Sequence, residues 1–268
     1  MPQDERRSGG LKISYFMKNL ITFAKRSTVV VFAAFCSCAN ITEEIYLNED
    51  GSGQYMVYTD VVSSTRSMMM GMMSSIYPDA SQDSLFQVID AQLWEQFPTE
   101  VDSIIDLSSQ VPDSIKNDPM SMKYIEKAEM FMKGKRSDGY LNSGMRFNFS
   151  SVQELQEFND FLSENQNNGG GQLNMDLPQM KVNYSFDGKT FSRTAKMDES
   201  QTLTDSTKMV LGSLLMESKT RLIIHLPRKA TNVSQNQLVG QKGKDVTYEF
   251  ELIKVLAGEQ SSDVKVEF

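Results

Sequence analysis

The side chains best suited to chemistry in this sequence are two cysteines, one histidine and a group of methionines. Cys36 and Cys38 are the only cysteines, and His225 is the only histidine. A Ser-His-Asp hydrolase would need His225, but the residue falls on the polar side of a predicted strand, which favours a surface position. One histidine without a usable cysteine makes no ordinary zinc or iron site, and no nucleotide-binding or nucleophile-elbow motif occurs. We therefore predict no catalytic residues, no metal and no cofactor.

The methionines are unevenly distributed, with five of the 18 in a six-residue stretch. Thioether sulfur is a soft ligand that suits Cu(I), but neighbouring residues of a helix point in different directions and no His or Cys lies nearby in sequence. Two interpretations remain open. The cluster is either ordinary core packing or a pliable apolar surface for a ligand or partner, because methionine side chains adapt their shape. Its members are Met68, Met69, Met70, Met72 and Met73.

The N-terminal segment has the order of charges and apolar residues that is typical of a secretory signal peptide. A basic stretch ending at Lys25-Arg26 precedes the apolar run 29–35 and then small residues and Cys38. The run is too short to cross a bilayer, which takes about twenty apolar residues. A buried strand of a cytosolic domain is the alternative interpretation. Residues 1–16 fit poorly before such a signal, so Met17 is a candidate for the true start.

Cys38 is the predicted lipidation site. Ser37 is the small residue that lipoprotein signal peptidases prefer before the modified cysteine, so Cys38 is favoured over Cys36. We predict a signal peptide over 1–37 and a membrane partnership through N-terminal lipid such as palmitate. Each buried methylene contributes about 0.8 kcal/mol, so two or three acyl chains anchor a protein permanently. A redox pair is the competing interpretation, but thiol oxidoreductases use Cys-x-x-Cys.

The charge balance argues against nucleic acid as a partner. Without residues 1–37 the chain keeps 21 Lys+Arg against 33 Asp+Glu. An acidic domain is repelled by phosphate backbones, and no basic cluster with interleaved aromatics occurs. Four Asp-Ser pairs also match an O-glycosylation pattern of Bacteroidota, although Asp-Ser is equally an ordinary helix N-cap. Their candidate acceptors are Ser84, Ser103, Ser114 and Ser206.

The spacing of apolar residues predicts hairpins and helices in one α+β domain over 45–268, after a lipidated tether over 38–44. The stretch 45–59 reads as a hairpin with glycines in its turn, and 63–133 reads as helical, with Asp118-Pro119 as an N-cap followed by Pro at the first helical position. A polar, glycine-rich loop is expected over 164–173.

Further strands and helices follow in the second half of the sequence. Ser151 and Glu154 form a capping box, and Asp187-Gly188 marks a second hairpin. Strands are expected at 145–149, 222–226, 248–252 and 264–268. Because hairpins dominate and regular βαβ alternation is lacking, we predict an antiparallel sheet built from hairpins with several helices packed on one face.

The signal ending at Cys38, the hairpin from Ile45 to Tyr55 and the strand Ile223–Pro227 resemble uncharacterised cell-envelope lipoproteins of Bacteroidota. This resemblance implies an outer-membrane location and brings no catalytic residues. Surface-exported members place charges directly after the cysteine, whereas here 39–42 are uncharged, which favours the periplasmic face.

Three functions are compatible with these observations. The first is a non-enzymatic, membrane-anchored binding or assembly module with an envelope protein partner. The second is a carrier that holds a lipid or small apolar ligand between the sheet and the methionine-rich helices. The third is a hydrolase whose carboxylates the sequence does not reveal. A carrier needs a large apolar cavity, an assembly module an exposed patch, and an enzyme a cleft with convergent acids.

Overall fold

The computed structural model describes residues 40–76, 81–96, 99–109, 116–166, 180–197 and 218–268. One sheet contains β1 (Ile41–Leu47), β2 (Gly53–Asp60), β3 (Glu100–Asp106), β4 (Ala128–Lys135), β5 (Tyr140–Phe149), β8 (Lys219–His225), β10 (Leu238–Lys242) and β11 (Asp245–Glu251). The other contains β6 (Met180–Phe186), β7 (Thr190–Met197), β9 (Asn232–Val233) and β12 (Val264–Glu267). The α-helices of these ranges are α1 (Val61–Ile76), α2 (Gln82–Gln96), α3 (Pro119–Ile125), α4 (Val152–Gln166) and α5 (Leu252–Leu256).

The described ranges confirm the α+β class, with mainly antiparallel sheets, but the arrangement of strands differs from the prediction. The large sheet has the order β10-β11-β8-β1-β2-β5-β4-β3, and a second sheet has the order β6-β7-β12-β9. Only one sheet was predicted. The large sheet is also not purely antiparallel, because β1 pairs in parallel with β8. The first strand of the described chain therefore lies near the middle of the large sheet.

The predicted tether over 38–44 is too long, because β1 already begins at Ile41. Asn40 is also fixed to the fold: its carbonyl oxygen accepts a hydrogen bond from the Thr59 hydroxyl at 3.0 Å, and its side chain accepts one from the Lys219 backbone N–H at 3.1 Å. Strand pairing on both sides of β1 explains why this segment is ordered rather than a linker. The signal peptide and Cys38 lie outside the described residues.

The prediction of helix over 63–133 is wrong in its second half. Asp118 caps α3 and Pro119 opens it, as expected, but the helix ends at Ile125. The next segment, Ala128–Lys135, is strand β4 in the middle of a β3-β4-β5 meander. Its small and methionine side chains fit a period of two as well as a helical stripe, and pairing with β5 decides between them.

The other local predictions hold where the structure describes them. The Ser151 hydroxyl accepts the Glu154 N–H at 3.2 Å, which forms one half of the predicted capping box; the Glu154 carboxylate accepts the Ser150 N–H, at 2.7 Å, in place of that of Ser151. Gly188, with φ of 92°, turns the β6-β7 hairpin. Helix α4 extends to Gln166, so the first residues of the loop expected over 164–173 are helical; the remainder lies outside the described ranges.

The hydrophobic core lies between the inner faces of the two sheets and α4. The rings of Phe147 on β5 and Phe158 on α4 stack with centroids 3.9 Å apart. From the second sheet, Phe191 and Val266 are fully buried in the same cluster. Since side chains alternate along a strand, the other face of each large-sheet strand points away from this core.

Gly144 permits close approach of β2 and β5 on that outer face. A Cβ atom at this position would lie 2.2 Å from the Val57 carbonyl oxygen and 2.4 Å from Tyr58 Cβ. Gly144 is in register with both Tyr58 and Phe131, whose rings meet edge to face at 6.0 Å. The two aromatic side chains therefore take the space that a residue with a side chain would need.

We expect Gly144→Ala to lower the free energy of unfolding by about 1–3 kcal/mol, because overpacking forces the strands apart. Urea denaturation followed by circular dichroism measures this change. Gly240→Ala is the matched control, since no heavy atom lies within 4 Å of its added methyl group. Equal stability of the two variants would contradict the steric argument.

Candidate functional site

A buried polar cluster joins the two sheets. Arg193 on β7 donates to both carboxylate oxygens of Glu43 on β1, at 3.0 and 3.2 Å, and these two side chains are 4% and 7% exposed. Tyr184 donates to the same carboxylate at 2.7 Å, and Arg193 also donates to the Ser262 carbonyl oxygen at 3.1 Å. Both charges are therefore neutralised by direct partners, as burial requires.

Burial and the Glu43 carboxylate determine the pKa shifts in this cluster. Burial and the nearby Glu43 carboxylate raise the pKa of Tyr184 well above its usual value. Burial alone would lower the pKa of Arg193, but Glu43 outweighs it and raises that pKa. The cluster thus holds a fixed, buried ion pair beside the neutral phenol of Tyr184.

The outer face of the large sheet presents a different arrangement, which we call the outer row. In strand register, Asp245, His225, Tyr46, Gln54 and Asn148 lie side by side across β11, β8, β1, β2 and β5. Along each strand, the residues before and after the member of the row point to the core face. The row thus gathers five polar or aromatic side chains from five strands.

His225 is held on two sides within the outer row. Its Nδ1 lies 2.9 Å from Asp245 Oδ1, and its ring stacks on Tyr46 with centroids 4.0 Å apart. Its Nε2 is buried, has no hydrogen-bond partner among the residues that the structure describes and lies 3.7 Å from Glu44 Oε2. The predicted position of His225 on the polar side of its strand is confirmed, with the side chain 26% exposed.

Glu44 lies two residues before Tyr46, on the same outer face of β1. It accepts hydrogen bonds from Tyr46 at 2.8 Å and from Tyr58 at 2.6 Å. Burial first and the Glu44 carboxylate second raise the pKa of Tyr46 to about 12, and the same causes raise the pKa of Tyr58. Both phenols are therefore uncharged hydrogen-bonding groups near neutral pH.

The outer row shares two of the three members of a hydrolytic triad and differs in the third. The Asp245–His225 pair resembles two thirds of a hydrolytic triad, but a carboxylate and not a hydroxyl faces Nε2. Within the described ranges, no three His, Cys, Asp or Glu side chains are placed to hold a metal ion. What the row offers is a stacked ring pair flanked by an amide and a carboxylate.

A shallow groove continues the outer row at its β5 end. It has a volume of about 470 Å³ and is open to solvent. Asn148 belongs to both features and accepts a hydrogen bond from Gln54 at 2.8 Å. The groove is lined by Glu126, Lys127, Glu129, Asn148, Phe149 and Ser150.

The described side chains of the methionine cluster pack around α1 and α2 and not in the outer row. Met69 is 6% exposed and packs on Ile89 of α2, with Met70 and Met73 partly buried around them. The side chains of Met68 and Met72 lie outside the described part of the structure. Met69, Met70 and Met73 thus form part of the packing between α1 and α2.

Two of the four candidate glycosylation sites lie within the described residues. Ser84 is exposed in the first turn of α2, where its hydroxyl donates to the Ser81 carbonyl oxygen at 2.9 Å, and Ser103 is exposed on β3. Ser114 and Ser206 lie outside the described residues.

Sequence reasoning missed Glu43 and Glu44, which fall within the predicted tether over 38–44. The alternation of Ile41, Glu43, Ile45 and Leu47 was the available signal, since all four point to one face of a strand. A carboxylate at the second position concealed that pattern.

Comparison with known proteins does not identify a family. No protein-family model matches the chain, and no curated protein matches it. Among solved structures, 86% of this chain aligns with 88% of the folded domain of Mycobacterium tuberculosis LppM, determined by NMR, at 12% identity and a TM-score of 0.36. A likeness of this degree carries no argument about fold or function.

No helix in the described ranges is long and apolar enough to cross a membrane.

Replacing Glu44 by glutamine should lower the pKa of Tyr46 from about 12 towards 10, because the charge that disfavours the phenolate is removed while burial remains. The titration can be followed by NMR with labelled tyrosine. Glu249→Gln is the matched control, since Glu249 pairs with Lys219 and Arg221 on the same face. An unchanged titration of Tyr46 in Glu44→Gln would contradict the assigned cause.

Proposed function

We propose that this protein is a non-enzymatic lipoprotein of the cell envelope that binds or assembles with an envelope protein through the outer row. The observation that carries the proposal is the gathering of Asp245, His225, Tyr46, Gln54 and Asn148 beside an open groove. Protein interfaces are enriched in tyrosine and depleted in charge at their centres. The middle of the row has that composition, and Tyr46 is 40% exposed.

The proposed location follows from the N-terminal sequence. A signal peptide over 1–37, processing before Cys38 and acylation of that cysteine would attach the domain to a membrane. The likeness to Bacteroidota lipoproteins supports an outer-membrane lipoprotein that faces the periplasm. The proposal takes the helices and the second sheet to cover the inner face of the large sheet, which leaves the outer face for the partner.

The carrier hypothesis has less support. It requires an apolar cavity between the sheet and the methionine-rich helices, but Met69 and Ile89 pack directly on each other. The groove of about 470 Å³ lies instead beside β4 and β5 and includes charged lining residues. The binding-module hypothesis requires an exposed surface, and the outer row and the groove supply one among the described residues.

Site-specific photo-crosslinking in cells tests the binding surface. A photoreactive amino acid at Tyr46 or Gln54 should give a covalent adduct with one envelope protein, identified by mass spectrometry. The matched control is the same amino acid at Lys265, which is exposed on the second sheet. Adducts of equal yield at all three positions, or none at Tyr46 and Gln54, would overturn the proposed surface.

A fractionation experiment tests the anchor separately. The wild-type protein should sediment with membranes. Cys38→Ser cannot be acylated, so it should either keep its signal peptide uncleaved or appear in the soluble fraction. The mass of the N-terminal peptide reports acylation directly. An unmodified Cys38 in the mature chain would refute the lipoprotein assignment.

A further inference from the structure

The chain between the proposed lipid and the folded domain is very short. Asn40 is hydrogen-bonded to Thr59 and to the Lys219 backbone, so it already belongs to the fold. Only Ala39 separates it from Cys38. Consecutive Cα atoms are 3.8 Å apart, so Cys38 is within about 8 Å of Asn40 in any conformation.

This short connection attaches the lipid to one end of a central strand. At that end the register places Asp60, Asn142, Lys133 and Asp102 just beyond the level of Ile41. Strands β4 and β5 continue further in the same direction and close in the exposed turn Arg136–Asp138. This turn therefore projects beyond the attachment point.

Paired charges of both signs cover the same end of the sheet. Lys133 lies 3.7 Å from Asp102, and Lys135 lies 3.9 Å from Asp138. Alternating charges of this kind complement a zwitterionic headgroup layer, in which phosphate and ammonium groups alternate. They avoid the repulsion that a purely acidic surface would meet at a membrane.

We infer that the Asn40 end of the large sheet rests against the lipid headgroups, with the Arg136–Asp138 turn beside them and the outer row on the side of the domain, away from the membrane surface. Tyr46 lies six residue positions after Asn40 along an extended strand, which places Tyr46 about 20 Å further from the bilayer. This inference rests on the proposed lipidation of Cys38. A partner would approach the outer row laterally, parallel to the membrane.

Fluorescence quenching on vesicles tests this orientation. In the lipidated protein, Cys36 has left with the signal peptide and the thiol of Cys38 is blocked, so one added cysteine can be labelled selectively. Ser137→Cys places a dye on the exposed turn near the membrane, and Glu49→Cys places it on the exposed β1-β2 turn at the opposite end. Both proteins are reconstituted in vesicles of phosphatidylethanolamine and phosphatidylcholine that carry a headgroup quencher.

We expect quenching at Ser137→Cys to exceed that at Glu49→Cys several-fold. Insertion of twelve Gly and Ser residues after Cys38 should reduce this difference, because the domain could then rotate. Equal quenching at both positions in the short-tether protein would overturn the orientation.

Vesicle flotation separates this inference from the proposal on which it rests. Protein that fails to float is not lipid-anchored, which overturns the lipoprotein assignment and the orientation together. Protein that floats with equal quenching at both labels retains the lipoprotein assignment and refutes the orientation alone.

Discussion

Replacing Arg193 by methionine is expected to lower the free energy of unfolding by about 3–5 kcal/mol, because Glu43 would stay buried without its counter-charge. Arg193 and Glu43 are 4% and 7% exposed, so solvent cannot replace the lost partner. Urea denaturation of the mature chain, followed by circular dichroism, measures the change. A loss below about 1 kcal/mol would show that the pair is not sealed as the structure describes.

Two further variants separate the charge from the loss of packing. Arg193→Met combined with Glu43→Leu should be more stable than Arg193→Met alone, since no unpaired charge remains. Arg146→Met is the matched control, because Arg146 pairs with Glu129 on the outer face, where the two side chains are 30% and 36% exposed. It should cost less than about 1 kcal/mol.

The second large effect is a loss of stability in acid that depends on Glu154. Burial would raise the pKa of this carboxyl, but hydrogen bonds from Lys127 and Ser150 outweigh it and lower the pKa from 4.5 to about 2. A lowered pKa stabilises the fold above the unfolded value and loses that stabilisation as pH falls through the folded value. The contribution is on the order of 3 kcal/mol and should disappear between about pH 5 and pH 2.

Glu154→Gln should therefore be less stable than wild type near pH 7, and the difference should shrink towards zero near pH 2. Urea denaturation at several pH values measures it. Glu157→Gln on the same helix is the control: Glu157 also has a lowered pKa, but its side chain is 40% exposed and pairs with Lys123. Solvent screening should make its pH-dependent difference much smaller. A difference for Glu154→Gln that does not vary with pH would contradict the assigned cause.

Local sequence patterns were sufficient for elements whose periodicity has one interpretation. The alternation in 145–149, the turn at Asp187-Gly188 and the cap at Asp118-Pro119 each specify a conformation through their own steric and hydrogen-bonding preferences. The segment Ala128–Lys135 does not, because its spacing satisfies both a helix and a strand. Its conformation follows from the strands on either side.

The candidate site depended on contacts between distant parts of the chain. His225 was recognised as a strand-surface residue, but its partners Asp245 and Tyr46 come from two other strands. No pattern near His225 could indicate that β1 would lie beside β8 in parallel register.

The sequence by itself determined the elements whose periodicity has one interpretation, the acidic character of the chain and the prediction of a lipid anchor, because each depends on neighbouring residues. Tertiary structure decided that Glu43 is buried, since a carboxylate enters a core only when a partner such as Arg193, 150 residues away, neutralises it. It also decided that β1 is a central strand rather than a tether. Burial and strand-pairing energies depend on contacts between segments that are distant in sequence, so neither segment alone reveals them.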